Sequence, residues 1–424
     1  MKTALFSSVA LSVMALTLPA AAGELTVWVI DGDSEKPYFA QLEETFNATF
    51  GPDTTIDVVP IPSYTETLQA ASMSGDMPDV IMVDGPNMAA MAWSGLIRPI
   101  GDLLDPAVLE DLLPAVRDQG TYGPTGEFYF ASPYDSGTVL WGNRKLLEEA
   151  GVRIPTSPED AWTADELAEV LEKLAAIDGV QWPLDMRLDE GVGEWLTYGF
   201  STFVQSNGGD LIDRDTWVAE GTINSPENVA VMTKLQGWYK NGWIVPASAG
   251  GNTFFGDKTS ALVWIGNWMW PAHQAGLGED LVLIPPPVFG ANGPVSANGG
   301  WGWSVPASST NDEDVAKFLN HAMSAEQVAL YGDITGYVPS RASAVPLSER
   351  YGAGGEGELF AQLSACCAVV RPVYPGYPTI TSAWANAVAN ILSGTADVQA
   401  ELDRAAQQID RDIEDNAGYP PFGG

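Results

Sequence analysis

The chain has 424 residues, with 55 Asp and Glu against 19 Lys and Arg, giving a formal net charge of -36. Such a chain repels nucleic acid and anionic membrane surfaces, which excludes DNA, RNA and lipid headgroups as partners. The length fits two domains of about 100–200 residues each, and 15 Trp leave indoles over for a site once the cores are filled. A solvated acidic surface accounts for the charge, so the charge by itself locates no cationic ligand.

The first residues read as a leader. Met1–Lys2 is a positive n-region, Ala4–Leu18 an apolar h-region, and Ala20–Ala21–Ala22 the small residues of a cleavage site before Gly23. The apolar run is short for a membrane span, and no Cys follows it to carry a lipid. The expectation is export, removal of residues 1–22 and a mature chain outside the cytoplasm. Cys366 and Cys367 are adjacent. Neighbouring cysteines close only a strained ring, so two buried thiols are expected. With His273 and His321 the only histidines and no Cys/His spacing, no zinc site and no cofactor is expected.

From the mature end, apolar runs and turn signals alternate. Leu25–Ile30 reads as a strand and runs into the loop Asp31–Gly32–Asp33–Ser34. Tyr38 to Phe50 has helical spacing, Thr55–Ile61 reads as a second strand, and Tyr64–Met73 as a helix. A turn signal then leads into the apolar run Val80–Val83, which stops at Asp84–Gly85–Pro86–Asn87 before a helical segment from Met88 to Gly95. This β-α-β-α-β-α order predicts a doubly wound α/β lobe. A Leu-rich helix is expected over Leu103–Val116. A Pro/Asp/Gly break around Tyr134–Asp135, before Thr138–Trp141, reads as a passage between lobes. Trp162–Ala176 is strongly periodic, with Thr163 and Glu166 forming a capping box. Val180–Leu188 is read as a strand entering the loop Asp189–Glu194, and Trp195–Val204 as a helix. Ser225–Pro226–Glu227 opens another helix. Ser260–Ile265 is a strand ending at Gly266–Asn267–Trp268, Leu281–Ile284 is another, and Asn298 to Trp303 reads as a second crossing. Periodic helices at Asp312–Met323, Ala325–Tyr331, Ile380–Leu392 and Val398–Ile413 follow.

Strand ends in an open α/β sheet are where ligands bind. Here they carry Asp31 and Asp33, Asp84, Tyr134–Asp135 and Asn267–Trp268 into loops. Carboxylates accept charge-assisted hydrogen bonds from hydroxyls, and indole faces stack on the C–H faces of sugars. Trp268 and Trp301, flanked by Gly or Asn, fit that role better than core packing. The competing reading of each Asp is a helix cap or an Asx turn. Paired carboxylates also admit an acid–base reading on a glycosidic bond. No nucleophile elbow, phosphate loop or His-activated nucleophile accompanies them. Asp31 to Glu35 lacks the rest of a calcium loop's ligand spacing, and Asp210, Asp213 and Asp215 read as a solvated turn.

Several stretches, in order, resemble the extracellular solute-binding proteins of ABC transporters, in the maltose-binding-like family. They are LTVW at 25–28, SGDMPDVIMVD with SGLIRPI, SPYDSGTVLWGNRKLLEEAG at 132–151, INSPENV, FFGDKTSAL with WIGNWMW, GGWGWSVPASS, GYVPSRAS and RPVYPGYP. Together they cover nearly the whole mature chain. The resemblance implies two doubly wound α/β lobes joined by hinge crossings, the periplasmic binding protein type II fold, closing on a ligand. The expected division is a leader at 1–22, a first lobe from 23–134 and 301–340, and a second from 135–300 and 341–424. By position, ligand contacts are expected from Asp31, Asp33, Asp84, Tyr134, Asp135, Trp195, Asn267, Trp268, Gly300, Trp301, Arg371 and Tyr377. Where the family has Tyr before Asn in the 140–145 segment, this chain has Gly142. Arg371 fits two roles: donating to sugar hydroxyls, or pairing with a phosphate, sulfonate or carboxylate on a modified sugar.

The function implied is a monomeric periplasmic binding protein. It would capture a sugar, oligosaccharide or sugar derivative for the permease subunits of an inner-membrane ABC transporter, without catalysis. The alternatives are an exported glycan-active hydrolase and a polyamine- or peptide-binding protein.

Overall fold

The computed structural model describes residues 23–420; the leader read at 1–22 lies outside the described residues. The first three strands are Gly23–Ile30, Thr54–Ile61 and Val80–Asp84, connected through the helices Lys36–Phe50 and Tyr64–Ser74. They pair in parallel, Leu25 opposite Ile56 and Val27 opposite Val80. Covering helices on both faces explain why Val80–Val83 is apolar without alternation: all four residues are buried. A later strand, Trp301–Pro306, enters this sheet antiparallel beside Val80–Asp84, with Trp301 opposite Asp84 and Trp303 opposite Met82. Ile97–Arg98 closes the sheet's other edge. Trp303 is fully buried and packs edge-on against Phe318 at 5.1 Å and Phe39 at 6.4 Å. One core thus runs from Leu25 to Tyr134 and resumes from Trp303 to Ala344.

The second sheet orders Leu281–Ile284, Thr138–Asn143, Ser260–Gly266 and Trp182–Asp185. Thr138–Asn143 runs antiparallel to both neighbours. Its core takes residues from Leu140 to Ile284 and from the closing helices Tyr377–Ile391 and Val398–Asp415. Thr163 and Glu166 form the expected capping box at the start of Ala164–Ala175.

Some expected elements are broken, for local reasons. Leu103–Val116 divides into Pro106–Asp111 and Pro114–Gly120, because Pro114 lacks the N–H that a continuing helix needs. Trp195–Val204 divides into Glu194–Tyr198 and Ser201–Ser206. The strand read over 180–188 is only Trp182–Asp185, ended before Arg187, which sits at φ 53. Cys366 and Cys367 are joined by a disulfide, with Cys366 exposed and Cys367 half-buried, contrary to the expected pair of buried thiols. Cys366 ends the helix Glu358–Cys366 and Cys367 leaves it at φ -139, which turns the second side chain back towards the first.

Three chain segments run side by side between the two cores. Ala131 bridges Trp303, Ser136 bridges Gly299, and Tyr134–Asp135 pairs antiparallel with Val338–Pro339. The glycine at 300 is required by this close approach. A Cβ there would lie 2.6 Å from Ser132 Oγ and 2.9 Å from the Tyr134 carbonyl.

Candidate functional site

A cavity of about 340 Å³ opens where the crossings meet the two sheets, lined by Asp84, Tyr134, Ser136, Glu194, Trp195, Tyr198, Trp268, Gly300, Trp301, Tyr337 and Arg371. Each comes from a definable place in the fold. Asp84 is the last residue of its strand. Its carboxylate does not cap the turn Gly85–Asn87 and instead meets Arg371. Trp301 follows the close-packed Gly300, on the strand beside Asp84, and its ring meets Tyr64 edge-on at 5.5 Å. Trp195 and Tyr198 come from one turn of helix, and both lie against Trp268, at 6.1 Å and 5.7 Å. Trp195 Nε1 donates to the Met186 carbonyl, which fixes its ring.

Behind these rings is a layer of tyrosines. Tyr134 stacks on Tyr337 at 4.0 Å and receives the Trp301 backbone N–H at 2.9 Å. Tyr337 donates to the buried Glu35 at 2.9 Å. Tyr198 donates to the Ser136 carbonyl at 2.8 Å. Burial holds all three phenols well above their usual range, so they act as neutral hydrogen-bonding and stacking groups.

The charged part of the lining is a triad. Arg371 donates from Nη1 to Glu194 Oε1 at 2.5 Å and from Nη2 to Asp84 Oδ1 at 3.4 Å, and its guanidinium carbon sits 4.9 Å over the Tyr198 ring. Glu194 is itself held: its Oε1 also accepts from Tyr377, and Oε2 accepts from Thr381 Oγ1 at 2.7 Å. Burial pushes the Asp84 carboxyl up to about 6; Arg371 opposes the shift and Glu194 adds to it. Burial works against the Arg371 charge, but Asp84, Tyr377 and Glu194 outweigh it and hold the guanidinium protonated. Past Asp84, Glu194 and Trp301 the cleft continues into a second space of about 460 Å³, bounded by Tyr64, Leu68, Met91 and Pro378.

Of the residues nominated from sequence, Asp84, Tyr134, Trp195, Trp268, Gly300, Trp301 and Arg371 line the cavity together. Tyr377 is fully buried and reaches it only through Glu194. Asn267 is fully buried and does not line it. Asp135 is also buried and works inside the crossings: it accepts from Asn298 Nδ2 at 2.6 Å, from the Gly299 N–H at 3.3 Å and from Ser364 Oγ. Asp31 and Asp33 are corrected: both pair with Lys36, at 3.0 Å and 2.8 Å, outside the cavity. The acid of that loop that reaches the tyrosine layer is Glu35. Sequence reasoning misses Ser136, Glu194, Tyr198 and Tyr337. Only Glu194 carried a signal, as the end of the acidic loop after the Trp182 strand.

Two sheets with separate cores, three crossings and an aromatic cavity at the junction are the architecture of a two-lobe solute-binding protein. The chain belongs to the bacterial extracellular solute-binding protein family, whose model matches residues 41–354. A lactose-binding protein of Rhizobium radiobacter is 26% identical over 337 residues, 74% of each chain. The sn-glycerol-3-phosphate-binding periplasmic protein UgpB of Escherichia coli (strain K12) is 26% identical over 333 residues, 73% of each chain. Among solved structures, the GacH receptor of Streptomyces glaucescens GLA.O, determined unliganded and with acarbose, superposes with a TM-score of 0.79 at 22% identity, over 93% of this chain and 99% of that one. At that identity the likeness concerns the fold.

Proposed function

We propose that this protein captures a sugar, oligosaccharide or sugar derivative between its lobes and delivers it to the permease subunits of an ABC transporter, as an exported, monomeric, non-catalytic periplasmic component. The observation that carries this reading is the lining itself. Three indoles and three phenols, drawn from both sheets and the crossings, enclose hydrogen-bonding groups at Asp84 and Ser136. Flat aromatic faces match the C–H faces of a pyranose, while carboxylate and hydroxyl match its hydroxyls. Residues 23–134 with 301–340, and 135–300 with 341–424, act as the two moving bodies, and ligand shifts the population towards the closed form. The relatives that bind lactose and a glycerol phosphate support a small polyhydroxylated ligand.

A thermal-shift screen of mono- and oligosaccharides tests the reading. Stabilisation by at least one carbohydrate is expected. Turnover of aryl-glycosides that disappears in Asp84→Asn would replace it with a hydrolase. Stabilisation by putrescine or spermidine and by no sugar would replace it with polyamine capture.

A further inference from the structure

The charge inventory of the cavity narrows its ligand further, resting on the carbohydrate reading above. The charged residues in the lining are Asp84, Glu194 and Arg371, two anions against one cation. Arg371 is 4% exposed; both of its terminal nitrogens already donate to carboxylates, while its Nε is buried without a hydrogen-bond partner. A phosphate or carboxylate entering here meets a guanidinium whose terminal nitrogens are already engaged, and two like charges beside it. Glu194 is spent on Arg371, Tyr377 and Thr381. Asp84 offers only Oδ1 to Arg371, at the longer distance of 3.4 Å.

Around this excess negative charge stand the indoles of Trp195, Trp268 and Trp301. Indole faces carry negative potential and attract cations most strongly where water is excluded. We infer that the cleft is selective for a basic saccharide, one bearing a protonated amine that pairs with Asp84 and lies against the indoles, and that it rejects phosphorylated sugars. The cleft therefore differs in charge preference from what the name of the glycerol-phosphate-binding relative describes.

Matched ligands test this by calorimetry on the full mature chain: glucose, glucosamine and glucose 6-phosphate, with the β-1,4-linked dimers of the first two. The amine-bearing members should bind on the order of tenfold tighter than their neutral partners, with the advantage shrinking as salt is added. The phosphorylated member should not bind. Asp84→Asn should erase the preference for the amine, whatever it costs in affinity for the neutral sugars. The salt dependence of the unmodified protein is a readout that does not depend on this variant folding. Equal or weaker binding of the amines, binding of glucose 6-phosphate, or no binding by any amine-bearing member overturns the inference. If neutral sugars bind without discrimination, the carbohydrate reading stands and only the charge preference falls. If putrescine binds and no sugar does, both fall.

Discussion

Asp84 and Arg371 meet across the cleft at 3.4 Å, the first from the end of a strand in one sheet and the second from the loop before the helix Tyr377–Ile391 on the other. Their contact ties the two lobes together at the point where a ligand would lie, and Glu194 holds the arginine in place from its own side. Under the proposed function, closure and ligand recognition share the same three side chains. A ligand that competes for Asp84 exchanges an internal contact for an external one. Its affinity reflects the difference between the two.

Glu194→Gln tests how far that arrangement depends on the buried guanidinium. The substitution keeps a carbonyl oxygen for Arg371 Nη1 but removes the charge that balances it. Glu194 is about one-third exposed (32%), so solvent moderates the loss, and destabilisation on the order of 1–3 kcal/mol is expected in a urea titration. With one anion removed, anionic sugars should also become detectable ligands. A variant as stable as the parent would show that Glu194 does not hold Arg371.

Trp268 packs at right angles to Trp195 and at a tilt to Tyr198, so its ring is fixed before any ligand arrives. Trp268→Ala should weaken the ligand found in the screen by on the order of 1–3 kcal/mol while moving the melting temperature of the free protein little. Unchanged affinity by calorimetry would remove it from the binding surface.

Which of these residues were legible in the sequence follows from how local their signals are. Asp84 stands at an abrupt strand end, and Trp268 and Trp301 stand beside Gly or Asn; each can be found by reading its own neighbourhood. Tyr198 lies inside an apolar helix and looks like core, and Tyr337 sits in a turn-rich link. Their roles come from contacts with Ser136, Arg371 and Tyr134, far away in the chain. Asp31 and Asp33 show the opposite failure. The acidic loop is correctly placed at a strand end, but Lys36 takes two of its carboxylates and the third, Glu35, turns inward. The doubly wound order was readable because periodicity is local. The antiparallel return of Trp301–Pro306 beside Val80–Asp84 was not, since nothing in either strand names its partner.

Gly300→Ala addresses the crossings. The added Cβ would meet Ser132 Oγ at 2.6 Å and the Tyr134 carbonyl at 2.9 Å. Ser132 cannot swing away freely, because its hydroxyl is held between the carbonyls of Tyr134 and Trp301. Overpacking here should cost about 1–3 kcal/mol in chemical denaturation and displace Trp301. Ligand affinity is expected to fall together with stability. A variant with full stability and full affinity would mean that the crossings separate easily.

Asp135 gives the protein a pH dependence whose sign can be worked out. Burial pushes its carboxyl up to about 7 from an ordinary 3.8, against the lowering effect of the bonds from Ser364, the Gly299 N–H and Asn298. The folded state therefore binds more protons than the unfolded chain between those two values. Stability contributed at this residue is fully present below the unfolded value and is lost as pH rises through the folded one. Asp84, raised to about 6, acts in the same direction over a narrower window. The unfolding free energy from urea titration should accordingly be higher at about pH 5 than at about pH 7.5, by an amount on the order of 1–3 kcal/mol. Asp135→Asn is neutral at both pH values. Its amide can accept from Asn298 and Gly299 and donate to Ser364, so the crossings keep their bonds. The variant should match the parent only below the unfolded value, exceed it already at about pH 5 and by more at about pH 7.5, and leave only the smaller slope due to Asp84. A pH slope unchanged by the substitution would show that Asp135 is already ionised when the protein is folded.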